Sequence, residues 1–366
     1  MIISILVILV VLFSLTALIT LHELGHFLLA RKFGVKVEEF GIFLPPRIWG
    51  KKIGETVYSL NWLPLGGFVK LFGEEGGQSL HPQNFNSKPV WQRALIIAAG
   101  VISFWIIAFL ILTFVFIIGS VTQVEDSDVV ANAQVQIITV APNSPASDAG
   151  LQSGDIVKTL ALKIASQITN NTDTVAQVQN FTSAHEGEEV VFEVQRGGET
   201  INLSLTPRIN PPNGEGPVGI ALVRLGKKSY PLWQAPWIAA QTTWNYTANV
   251  FIGWGKLINN FVHRQGLPPG AQVMGPVGIL NLMDKAAYRG IAYYLQLVAL
   301  ITVYLAVFNA LPIPALDGGK LMFLAIEALR KKPVPQKVEQ GLTAVFMFIL
   351  IALMLVVTAQ DISRFF

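Results

Sequence analysis

His22, Glu23 and His26 lie in the run HELGH, residues 22–26, which closes an apolar stretch beginning at Ile2. On a helix, two histidines four residues apart project from one face and can bind a single Zn2+. Glu23, one residue past the first imidazole, is placed to hold a water rather than the ion. This is the HExxH arrangement, in which a metal acidifies a bound water and the glutamate accepts its proton. Chance produces five-residue patterns. It does not account for three polar residues at membrane depth, where each costs roughly 2.5 kcal/mol or more without a partner.

A catalytic zinc generally takes three protein ligands and leaves a position for water. Among the remaining histidines, His81, His185 and His263 fall in loops or outside segments and read as surface residues. The better candidate is Asp317, in NALPIPALDGG at residues 309–319, another carboxylate in an apolar setting. Pro312 and Pro314 cannot continue a regular helix, so an extended segment here would present Asp317 and the amide of Asn309 to a cavity. Asp317 could instead only cap a helix over 318–329. That alternative leaves its coincidence of depth with HELGH unexplained.

The elements that must position these groups are written in the composition. Of 366 residues 52% are hydrophobic and 13% charged, with mean hydropathy +0.51, which points to several membrane spans. There is no cysteine, which excludes disulfides, thiolate zinc sites and cysteine nucleophiles. No basic patch suggests nucleic acid. Four stretches suit spans: Ile2 to about Leu29, Ala94 to about Ile118, about Ile291 to Leu311, and about Leu342 to Thr358. The first lacks a basic leader and a small-residue cleavage site, and reads as a retained helix rather than a signal peptide. Nine Lys/Arg lie between the first two spans and Arg330, Lys331, Lys332 and Lys337 between the last two, whereas 119–230 carries twelve Asp/Glu against seven Lys/Arg. The positive-inside rule then puts both basic loops in the cytoplasm and both termini outside. Spans one and three run in the same direction, so HELGH and LDG meet at the cytoplasmic end.

The intervening segments follow from pattern. Residues 132–222 read as a soluble extracytoplasmic α+β module, with strand-like runs at 135–140, 190–195 and 200–206 between Gly, Asn and Pro turns. Residues 223–290 hold an aromatic-rich stretch mixed with Gln, Asn and Thr, which suits an interfacial helix. Between Val57 and Phe72 the run VYSLNWLPLGGFVKLF is apolar but broken by Pro64, Gly66 and Gly67, and reads as a re-entrant hairpin about 57–72. Such backbone survives in lipid only if buried in protein or lining a wet cavity, so it would border the site. The expected fold is a polytopic α-helical membrane protein with four transmembrane helices, this membrane-associated β-hairpin and one extracytoplasmic domain. The membrane domain comprises an N-terminal half, 1–131, and a C-terminal half, 291–366.

Taken together, HELGH, GGFVKL at 66–71, GPVGI at 275–279 and NALPIPALDGG resemble the site-2 protease family of intramembrane zinc metalloproteases, and within it the bacterial regulator of sigma-E protease branch. The resemblance implies that His22, His26 and Asp317 bind zinc, that Glu23 is the general base, and that Asn309 positions substrate or stabilises the oxyanion. Pro312 and the hairpin residues Gly66, Gly67 and Phe68 are the further substrate-binding candidates. The outside module is similar to a single PDZ domain on SPASDAGLQSGDIV at 144–157, with Gly219 and Ile220 of PVGI edging a peptide groove. Two positions depart from the family's pattern: Phe104 stands where many relatives have asparagine, and Tyr304 where a small residue is common.

The implied function is an endopeptidase that cuts a peptide bond in or near the transmembrane segment of a single-pass protein. Its substrate would already be trimmed outside, for instance an anti-sigma factor or a remnant signal peptide. The partners implied are that substrate, a peptide ligand for the PDZ groove and the lipid bilayer, without nucleic acid, and the place is the bacterial cytoplasmic (inner) membrane. The alternative is a catalytically silent PDZ-bearing scaffold with a structural zinc. A metal-ion transporter would need polar sites on both membrane faces, and the polar residues cluster at one.

Overall fold

The computed structural model describes residues 5–74, 81–130, 133–162, 168–169, 172–212, 214–264 and 274–365. The chain divides into two units, Met1–Ile117 with Pro231–Phe366, and Ile118–Tyr230.

The first unit is helical and apolar. Helix α1 spans Ile5–Lys32 and α2 spans Val90–Ile118. Their Ile, Leu, Val and Phe content forbids a watery surface, and a helix satisfies every backbone polar group internally. Among the described residues four helices are long and apolar enough to cross a membrane: Leu6–Lys32, Val90–Ile118, Ile291–Ala310 and Gln336–Ser363. The chain is a membrane protein on that count. At 1.5 Å per residue His22 lies about 24 Å along the axis from Leu6, toward the far boundary of a hydrocarbon layer about 30 Å thick.

Between α1 and α2 runs a curled sheet of two long strands, β1 (Val37–Ile53) and β2 (Thr56–Leu71). The segment 57–72, expected to be a hairpin on its own, is instead one strand whose partner is 37–53. Its Pro64, Gly66 and Gly67 curl the chain rather than turn it, and the turn falls at Gly54, whose φ is +64°. Residues 39–42 pair twice, with 67–70 on one side and with 57–60 on the other, while 57–60 also pair with 49–52. The sheet therefore has four short lanes, and 67–70 is an outer one. Gly67 lets this lane lie against α1, since a Cβ there would stand 3.1 Å from Thr20 Oγ1 and 3.0 Å from the Gly41 carbonyl.

In the second unit a seven-stranded antiparallel sheet closes over a core that includes Val135, Val157, Leu160, Phe192 and Val194. It comprises β3 (Ser120–Gln123), β4 (Gln134–Val140), β5 (Ile156–Leu162), β6 (Ile168–Thr169), β7 (Val190–Arg196), β8 (Glu199–Leu205) and β9 (Ile220–Lys228), with a one-turn helix α3 (Pro145–Asp148) and helix α4 (Val175–Ala184). The main path runs β3-β9-β4-β5-β7-β8, with β6 beside β5. Strand β3 lies outside the expected 132–222 segment and joins this sheet because Ser120–Gln123 pair with 225–228. The α4 start is closed by a capping box between Thr174 and Gln177.

The first unit resumes with α5 (Ala235–Val262), α6 (Pro276–Tyr288), α7 (Ile291–Ala310), α8 (Asp317–Arg330) and α9 (Gln336–Phe365). Helix α5 buries only a narrow face of small residues, Ala235, Ala239, Thr243 and Val250, and leaves Trp237, Trp244 and Phe251 exposed. The GPVGI run explains itself in the start of α6. The backbone N–H groups of Gly275 and Gly278 both donate to Asp361 Oδ2, at 2.9 and 2.7 Å, so a carboxylate from α9 seals the positive end of α6.

Candidate metal centre

The histidines come from the second half of α1. One helical turn apart, they turn their Nε2 atoms toward each other at 3.3 Å. His26 Nδ1 donates to the Ile96 carbonyl of α2 at 2.9 Å, which reserves the lone pair of Nε2 for another partner. Two glycines make this approach of α1 and α2 feasible. A Cβ on Gly25 would lie 2.6 Å from the Ala99 carbonyl, and one on Gly100 would overlap the His26 ring.

Asp317 arrives from the first residue of α8, just beyond the break after α7. It is not the cap of that helix. Leu316 occupies the cap position and no side chain caps it, so the Asp317 carboxylate is not consumed by backbone amides. The LDGG glycines permit the tight fold, because a Cβ on Gly318 would strike the Leu311 and Ala310 carbonyls and one on Gly319 the Ile313 carbonyl. Asp317 Oδ2 stands 3.2 Å from His22 Nε2 and 3.3 Å from His26 Nε2. Burial pushes its carboxyl up, and the two imidazoles more than offset that, holding it well below the usual carboxylate range.

These three atoms form a nearly equilateral triangle with sides of 3.2–3.3 Å. Its centre lies about 1.9 Å from each corner, close to the roughly 2.0–2.2 Å at which zinc meets nitrogen and oxygen, so these three donors would fit the ion. Among the described residues, buried Asp317 Oδ2 faces only the two imidazole nitrogens and has no further hydrogen-bond partner, a costly state that a cation would relieve. The donor set fits Zn2+. Among the described residues no other group of three or more His, Asp or Glu side chains converges in this way.

Glu23 stands beside the triangle, with Oε2 accepting the Val69 backbone N–H of the outer lane at 3.1 Å. Asn309, on the last turn of α7, donates through Nδ2 to the Leu305 carbonyl at 3.0 Å, within its own helix. Pro312 is exposed in the break. Gly66 and Gly67 lie against Ile19 and Thr20 of α1, and Phe68 covers Gly41. In the other unit Gly219, at φ +79°, lies against Ser144, and Ile220 pairs with Val140.

Sequence reasoning missed several contacts here. The Ile96 carbonyl is backbone, and Gly100 looks like any small residue. Arg93 of α2 makes a two-point ion pair with Glu327 of α8, joining the helix that orients His26 to the helix that carries Asp317. Lys320, one turn after Asp317, donates to Glu74 Oε1 at 2.6 Å. Burial alone would lower its ammonium pKa, but the facing Glu74 carboxylate, and then Asp317 and Glu23, raise it above the ordinary lysine value. Phe104 stacks on His22 with ring centroids 4.4 Å apart.

Residues 10–353 match peptidase family M50. The chain belongs to that family. M50 is the site-2 protease family of zinc-dependent enzymes, which bears out the expectation of a zinc-dependent protease. Among its relatives, the regulator of sigma-E protease RseP of Escherichia coli K12 is 30% identical over 454 residues, covering 96% of this chain and 97% of that protein. The regulator of sigma-W protease RasP of Bacillus subtilis 168 is 28% identical over 432 residues, 95% of this chain and 96% of its own. A Clostridium perfringens protein described provisionally as a zinc metalloprotease is 33% identical over 351 residues, 96% and 97% of the two chains.

Proposed function

We propose that this M50 member is an intramembrane zinc metalloendopeptidase that hydrolyses a peptide bond in or beside the transmembrane segment of single-pass membrane proteins. The observation that carries the reading is the triangle of His22, His26 and Asp317 donors at the ends of apolar helices. Those three residues would hold the zinc. Once bound, zinc supplies Lewis acidity toward a carbonyl and lowers the pKa of a water.

The rest is done by the chain. Glu23 is the general base: its Oε2 is steadied by the Val69 N–H, and Oε1 takes the water's proton and later gives it to the leaving amine. A helical substrate hides its carbonyls in its own hydrogen bonds and must unwind first. The outer lane, with Gly66, Gly67 and Phe68, offers main-chain groups to the unwound strand. Asn309 keeps a second amide hydrogen for the developing oxyanion, and Pro312 borders the break from which Asp317 projects.

The Ile118–Tyr230 unit is read as a single PDZ domain on the outer side. Strand β3 pairs only with 225–228 of β9, which leaves the same edge of 220–223, next to Gly219 and Ile220, as the place where a peptide ligand adds a strand. Both termini face outward and the triangle lies near the cytoplasmic face of a bacterial inner membrane. Two relatives are named as regulators of sigma factors, which supports a membrane-anchored anti-sigma factor as substrate, already shortened outside, with remnant signal peptides as the other class.

The test is cleavage of a detergent-solubilised single-span model substrate by the full chain, with and without a zinc chelator, beside the Glu23→Gln variant. Cleavage should stop on chelation and return with zinc. Glu23→Gln should bind zinc and cut nothing. Chelator-resistant cleavage, or full turnover by Glu23→Gln, refutes the assignment.

A further inference from the structure

The two histidines are held by different means. His26 has the arrangement usual for a metal-binding imidazole, its second nitrogen donating to a backbone carbonyl that fixes tautomer and ring plane. His22 does not. Its Nδ1 is buried and, among the described residues, has no hydrogen-bond partner. What it has is Phe104, whose ring lies 4.4 Å away at an interplanar angle of 16°. Phe104 is 2% exposed and belongs to a buried cluster with Leu18, Met283, Tyr294 and Val298, residues of α1, α6 and α7.

We propose that Phe104 is a positioning residue for His22, setting the tilt of the imidazole by face-to-face stacking where a hydrogen bond does this for His26. The proposal rests on His22 binding zinc. An imidazole without a second-nitrogen partner is free to rock about its side-chain bonds, and rocking changes the distances from Nε2 to His26 Nε2 and Asp317 Oδ2. A flat face at stacking distance blocks that motion and keeps water from Nδ1. Helix α6 enters the same chain of contacts: it carries Met283, which packs in the Phe104 cluster.

The experiment uses the full chain in detergent and reads zinc affinity by competition with a chromophoric chelator. Phe104→Leu keeps most of the apolar volume and removes the flat face. It should weaken zinc roughly 10–100-fold, the range for losing an outer-shell partner of a ligand. It should also shift the visible absorption of the cobalt(II)-loaded protein and lower kcat with little change in KM. Phe104→Tyr keeps the face and should stay within about threefold of the parent. If the leucine variant does not fold, Phe104→Met, with similar volume and no flat face, should show the same loss. Parental zinc affinity and cobalt spectrum in a folded leucine or methionine variant overturn the proposal, and so does a tyrosine variant as weak as leucine. A parent chain that binds no zinc overturns the metal assignment beneath it.

Discussion

Gly100→Ala separates the geometry from ordinary helix propensity, because the two predict opposite signs. In a helix interior alanine is favoured over glycine by about 1 kcal/mol, so a helix without neighbours would be stabilised. Here the added Cβ would overlap the His26 ring, lying 2.7 Å from Cδ2 and nearer still to Nε2 and Cε1, where ordinary contact begins at 3.4 Å. The ring must retreat by roughly 0.7 Å or more, while a metal–ligand distance tolerates only about 0.2 Å. His26 would leave the triangle, and its 2.9 Å bond to the Ile96 carbonyl would be strained with it. Zinc affinity should fall at least about 100-fold, equivalent to about 2.7 kcal/mol. Overpacking should cost the metal-free protein about 1–3 kcal/mol, partly offset by propensity. The assay is chelator competition and thermal unfolding of the same detergent sample. Gly253→Ala is the control, since a Cβ at that helical position meets nothing within 4 Å. If Gly100→Ala binds zinc within threefold of the parent, the close approach of α1 and α2 does not set the position of His26.

Arg93→Met should lower stability by about 3–5 kcal/mol, because Glu327 is left unpaired with only 16% of its side chain exposed, and adding Glu327→Met should recover most of the loss. Thermal unfolding checks this, and a double variant worse than either single one would sink it. Thr174→Ala removes half of the capping box and should cost about 1 kcal/mol, appearing as faster hydrogen exchange over 175–184 by mass spectrometry of the whole chain. Unchanged exchange there would show that the Asp126 carboxylate, which accepts from the Val175 and Ala176 amides, suffices alone. Gly318→Ala should displace Asp317, because the new Cβ would strike the Leu311 and Ala310 carbonyls, so zinc should be lost, and Asp317→Ala should lose it to the same degree. A zinc-replete Gly318→Ala would mean that the turn after α7 can relax without moving the carboxylate.

What could be read from the sequence is what side-chain type and local spacing encode. The four apolar helices follow from runs of Ile, Leu, Val and Phe, and the strands at 134–140, 190–196 and 199–205 from alternation between turn residues. The meeting of His22, His26 and Asp317 was legible because polar groups at the ends of apolar spans need partners, and the charge of the loops predicts the same direction for the two spans concerned. The partner of 57–72 was not legible. Residues 37–53 carry Arg47, Lys51 and Lys52 and look like a solvated loop, yet their backbone completes the curled sheet. Nor were the Ile96 carbonyl and the Phe104 ring visible, since both reach the histidines from a helix about 75 residues away in sequence, through contacts that no local period records. Asn309 is a subtler case: its place at the end of α7 was legible, but not that its amide would turn back onto Leu305.

The two imidazoles belong to α1 and the carboxylate to α8, with the sequence of an entire folded unit inserted between them. During biosynthesis the imidazoles enter the bilayer long before the ribosome reaches Asp317. A nascent or prematurely terminated polypeptide would therefore hold two of the three proposed metal ligands. On the proposed ligand set, hydrolytic power would arise only once α8 has been made, so the surrounding membrane would be spared an unfinished protease.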